Sequence, residues 1–168
     1  MKTVSIKQPY ASLVVEGIKN IENRSWKTNF RGRVLVHSSA KMVNNLRNDS
    51  CFSHLFSEEQ RAAIYGTWEV KDMWANILPF SSIIGSVEIV DCVVNHPSIW
   101  AEKTFCTHPE DCKDSNQRRC INGCIYCAKV YNWVLANPVK YNYPLQNIKG
   151  KLSLWDFPCV PLKNGEII

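Results

Sequence analysis

The sequence contains no stretch approaching the roughly 18 consecutive apolar residues that a membrane-spanning helix needs. Its opening, Met1-Lys2-Thr3-Val4-Ser5-Ile6, lacks the long apolar segment of a secretory leader. Both absences point away from a helical membrane protein and a secreted one, so the expectation is a cytoplasmic chain with no membrane partner. Repeats, low-complexity tracts and a linker that would split the chain are also missing, which leaves a single domain over residues 1–168. With 45% apolar and 11% aromatic residues, a chain of that length can fill one core without disulfide or metal staples.

Acidic residues are scarce in one place. Between Lys19 and Lys41 six basic residues (Lys19, Arg24, Lys27, Arg31, Arg33, Lys41) stand against Glu22 alone, which accounts for the whole net charge of +5. A field of that sign suits phosphate or another anion, and a solvated basic face is the alternative. The chain carries eight cysteines. In a reducing cytosol they read as metal ligands or buried thiols rather than as a disulfide framework.

Segment by segment, the signals alternate. Gln8 to Gly17 reads as a short helix with Pro9 in its first turn and Gly17 as its left-handed terminator. Ile21–Trp26 and Arg33–His37 read as strands joined into a hairpin by Asn29-Phe30-Arg31-Gly32. Residues 42–80 read as a helical insertion in which Ser57 caps a helix and Gln60 completes a capping box. The β-branched run Ile83–Val94 is expected as a central strand. Pro97 opens a polar, cysteine-rich insertion lasting to residue 129. Strands return at Val130–Leu135 and Lys151–Trp155, with Asn137-Pro138 and Lys149-Gly150 as turns. The expected fold is α+β and β-rich: a β-barrel with flanking short helices and a Cys-rich insertion.

Three blocks then match a family. They are Ser5-Ile6-Lys7-Gln8-Pro9-Tyr10-Ala11, the run Gly17 to Trp26, and the run Arg31 to Lys41. The pattern G-x-K-x-x-E-x-R is met by Gly17, Lys19, Glu22 and Arg24, and Gly85–Cys92, Trp133–Pro138 and Lys149–Trp155 add to it. The chain resembles the ASCH (activating signal cointegrator homology) domains of the PUA-like superfamily. That resemblance implies a PUA-like barrel whose cleft holds RNA or another nucleotide-containing ligand. It also implies alternatives, because bacterial relatives remove the acetyl group from acetylated cytidine and others are described as ribonucleases. In those amidohydrolases the position of Glu22 is a threonine. Residues 42–80 and 97–129 have no counterpart in the resemblance.

Strand parity puts Glu22 and Arg24 on one side, so a carboxylate and a guanidinium line one wall, or pair across it to hold the mouth of the barrel. Lys19 has the opposite parity and joins them only if residues 18–20 form a loop after Gly17. Arg24 offers a rigid fork for phosphate or a base edge, and Lys19 a compact charge. If the protein is an enzyme, Lys19 and Glu22 are its catalytic candidates, acting on a modified nucleoside or on RNA. Tyr10, Trp26 and His37 are candidate stacking surfaces or core residues, with Arg33 and Lys41 as further ligand-binding cations. Cys106, His108, Cys112, Cys120, Cys124 and Cys127 fall within 22 residues. Of these, Cys112, Cys120, Cys124 and Cys127 form the chosen ligand set for a structural zinc, the alternative being a reduced, metal-free loop. The resulting expectation is a monomer that binds RNA or a nucleotide-like small molecule and requires no cofactor, with a hydrolase or a protein-interaction module as rivals.

Overall fold

The structure, a computed structural model, describes residues 1–43, 56–65, 78–104 and 130–158. Eight elements follow in chain order: β1 (Lys2–Gln8), α1 (Tyr10–Val15), β2 (Ile21–Arg24), β3 (Gly32–Met42), α2 (Glu58–Tyr65), β4 (Ser82–Val93), β5 (Tyr131–Leu145) and β6 (Leu154–Asp156). The strands form one sheet in the order β2-β5-β4-β3-β1-β6, antiparallel except where β1 runs parallel to β3. The described residues are thus β-rich with two helices, and β4 is central as its β-branched sequence requires.

Alternation along β3 explains the layering. Val34 and Val36 point into the main core with Val4, Ile6, Val87, Ile89, Trp133 and one side of α1. Leu35 points the other way, to a smaller cluster with Ile83, packed by Leu145, Ile148 and Phe157. The sheet curls around the main core, because Arg24 on β2 reaches across to donate to the Ser5 carbonyl on β1 at 2.7 Å. It does not close into the expected barrel. Among the described residues a side chain, and no backbone ladder, spans the gap between β2 and β1.

Two local expectations are corrected. β2 and β3 do not form a hairpin: β2 pairs with β5, Ile21 opposite Val134, and β4 and β5 separate it from β3. Burial decides this, since Ile21 is fully buried against Leu13, Phe56, Ile64 and Trp100, a cluster that a hairpin with β3 would not reach. Asn137-Pro138 does not end the strand either. Asn137 takes a positive φ of 49° and the register slips between Ser86 and Glu88, so the two residues form a bulge that β5 runs through to Leu145.

The local chemistry of both helices is as expected. The Gln60 amide donates to the Ser57 hydroxyl at 3.2 Å and the Ser57 amide to Gln60 Oε1 at 3.0 Å, a complete capping box for α2. At the end of α1, Gly17 (φ +78°) donates to the Val14 carbonyl and Ile18 to that of Leu13, the paired bonds of a Schellman motif. No helix among the described residues is long and apolar enough to cross a membrane.

Candidate functional site

The Schellman turn sets the position of Lys19. Leu13 also accepts from the Lys19 amide, so residues 18–20 leave the helix as a short loop and the Lys19 side chain turns toward β2. Its ammonium is buried, 4% exposed, and donates to the Ile21 carbonyl and to Glu22 Oε2, the latter at 3.3 Å. The other Glu22 oxygen takes Arg24 at 3.1 Å. One carboxylate therefore clamps both cations of the G-x-K-x-x-E-x-R pattern. The Arg24 guanidinium lies 5.8 Å from the Trp133 ring, and its buried Nε has no hydrogen-bond partner. Trp26 stacks edge-on against Trp133 at 4.6 Å and is half-buried.

Beside this clamp is a cavity of about 260 Å³, lined by Tyr10, Lys19 and Glu22 and by Trp100 and Glu102 from the segment after β4. The Lys19 nitrogen lies 5.4 Å from the Tyr10 ring centroid. Burial, and then the carboxylates of Glu102 and Glu22, raise the Tyr10 hydroxyl above the usual phenol range, so it remains a donor at neutral pH. α2 closes one wall, with Gln60 Nε2 donating to the Ile99 carbonyl at 2.7 Å. Phe56 stands edge-on to both Tyr10 and Trp100.

Trp100 and Glu102 were not among the expected site residues, because they lie inside the segment read as an insertion. Asn23 ties them down. Its Nδ2 donates to the Trp100 carbonyl at 2.9 Å, and its Oδ1 accepts from the Glu102 amide at 3.1 Å and from Asn132 at 2.9 Å. The lone tryptophan in an otherwise polar stretch was the available signal, since a large aromatic surface tends to be buried.

The remaining candidates lie elsewhere. Arg33 on β3 bonds Glu88 at 2.8 Å and Ser86 at 3.0 Å, outside the cavity. Asn137 and then Arg33 hold the Glu88 carboxyl below its ordinary range. Lys41 is exposed near the end of β3. His37 is 1% exposed and faces a second hollow, of about 650 Å³, between β1, β3 and residues 147–152. Burial lowers its pKa, so the ring is neutral, and because a carbonyl only accepts, its Nε2 donates to Ile148 at 3.0 Å. Nδ1 faces the Ser5 hydroxyl at 3.2 Å. Cys112, Cys120, Cys124 and Cys127 lie outside the described residues. Cys92, which is described, is a buried free thiol.

Comparison with known proteins places the chain in a family. The ASCH domain family matches residues 4–145, and the chain belongs to that family. It is similar to Activating signal cointegrator 1 of Homo sapiens, with 29% identity over 150 residues that make up 89% of the chain and 22% of the relative. The Mus musculus protein of the same name matches with the same identity and coverage. The chain thus spans about a fifth of the length of these curated relatives.

Proposed function

We propose that the chain binds RNA or a nucleotide-like ligand and seats a nucleoside in the cavity beside Lys19. One arrangement carries this reading: the Tyr10 hydroxyl and the Glu22 and Glu102 carboxylates line a single cavity with Trp100 as an aromatic wall. Lys19 uses two of its three N–H donors on Ile21 and Glu22, leaving one for a ligand. Donors and acceptors around an aromatic wall are what an unpaired base requires, by stacking and by its hydrogen-bonding edge. The lining carries two carboxylates against one ammonium, so the cavity suits an uncharged base better than a phosphate. Arg24 holds the Glu22 carboxylate from its other oxygen. Membership of the ASCH family supports the same reading.

Fluorescence anisotropy with labelled single-stranded RNA tests it. Tyr10→Phe and Glu22→Gln should each weaken binding by roughly tenfold, the loss expected for one buried hydrogen bond of about 1–1.5 kcal/mol. Affinity unchanged in both variants would overturn the assignment of the cavity. The same protein incubated with acetylated cytidine and a short RNA tests hydrolysis by mass spectrometry. Turnover that disappears in Lys19→Ala would make the protein an enzyme; none is expected, since Lys19 is engaged with its neighbours. From spacing alone, we also propose a structural zinc on Cys112, Cys120, Cys124 and Cys127. Native mass should fall by one zinc on chelation, and an unchanged mass removes the metal.

A further inference from the structure

We infer that the hollow between β1, β3 and residues 147–152 is a second ligand site, which takes phosphate groups of a bound nucleic-acid strand. This inference rests on the nucleic-acid reading above. Its basis is where the unpaired charge lies. Four of the six cations of the basic run are spent on internal partners, Lys19 and Arg24 on Glu22, Arg31 on Asp91 at 2.9 Å and Arg33 on Glu88 at 2.8 Å, while Lys27 and Lys41 are exposed and line neither cavity. Lys149 and Lys151 line the hollow, and neither has a carboxylate within ion-pair distance among the described residues. Lys151 lies over the Trp155 ring at 5.7 Å and acts at longer range on Asp156, whose direct partner is Lys2. Lys7 follows Ser5 by two residues on β1 and so shares its side of the sheet.

Among the described residues no acidic side chain lines the hollow, whereas two line the Lys19 cavity. Its neutral polar groups are suited to an anion. The Ser81 hydroxyl and the Asn147 side-chain amide both line it and have no hydrogen-bond partner among the described residues. The backbone that carries the lysines is held in place. Ile148 donates to the Ser81 carbonyl at 2.7 Å, His37 donates to Ile148, and the Ser5 hydroxyl lies 3.0 Å from the Lys151 carbonyl. Ammonium groups on a pinned loop beside hydroxyl and amide donors make a preorganised anion site.

The test is the salt dependence of binding to a short fluorescein-labelled oligouridylate. Each phosphate neutralised on a single strand contributes about 0.7 to the slope of log affinity against log salt, so the double variant Lys149→Ala/Lys151→Ala should lose about 1.4 of it. Glu22→Gln, in the other cavity, should weaken binding with its slope kept. RNA binding by the double variant with the wild-type slope overturns the second site and leaves the nucleic-acid reading intact. If the wild type ignores RNA, but inorganic tripolyphosphate shifts the NMR signals of Gly150 and His37, the phosphate site survives and the nucleic-acid reading falls. Polyglutamate binding as tightly as the RNA overturns the phosphate assignment.

Discussion

The two hollows carry opposite charge. The cavity at Lys19 is built around a buried cation and has two carboxylates in its lining; the one under residues 147–152 has two exposed lysines and, among the described residues, no acid. Along the sequence the ranking is reversed, because the basic run lies at residues 19–41 and Lys149-Gly150 reads only as a turn within a family-like segment. The difference is one of pairing. An arginine that meets a glutamate in the fold contributes little outward field, while a lysine without a partner contributes fully. A count of basic residues along the chain therefore does not distinguish paired from unpaired cations.

The comparison can be broken most forcefully at Glu22. Removing its carboxylate in Glu22→Ala leaves Lys19 buried without its counter-charge, with an expected loss of about 3–5 kcal/mol in urea unfolding. A loss below about 1 kcal/mol would mean that the clamp behaves like an exposed pair. The second hollow should break more gently, through Gly150. A Cβ there would lie 2.4 Å from His37 Cε1 and 2.9 Å from Ser5 Oγ, so Gly150→Ala must lift the loop, at a cost of about 1–3 kcal/mol. The substitution should also reduce phosphate binding while leaving the Lys19 cavity unaffected, as NMR shifts of Trp100 would report.

The smallest effect is expected from pH. Burial depresses the His37 pKa, so the unfolded chain takes up this proton more readily than the folded one. Stability from this group is complete above the unfolded value of about 6.5 and falls as pH drops below it toward the folded value. His37→Gln should flatten that part of the stability profile. An unchanged slope between wild type and variant would mean that the imidazole is not desolvated by the loop.

Much of the first site was legible because it is built from short-range chemistry. The Gly17 terminator placed residues 18–20 in a loop, and strand parity put Glu22 and Arg24 on one side. Both rules act within a turn or a pleat, so the short run from Gly17 to Arg24 suffices to apply them. The capping box at Ser57 and Gln60 was legible for the same reason. The hairpin was not, because a plausible turn at residues 29–32 cannot report which strand will bury Ile21. The bulge at Asn137-Pro138 carried the chemistry of a turn, and only the neighbouring β4 shows that the strand continues.

Sequence alone determined the family pattern, the helix ends and the sidedness of β2, since each depends on residues that touch along the chain. The tertiary structure decided which charges survive: Arg31 finds Asp91 and Arg33 finds Glu88 across 60 and 55 residues. It also brought Trp100 and Glu102 to Tyr10 and His37 to Ile148. Such contacts depend on strand order and register, which arise from the burial of the whole core and not from any one segment.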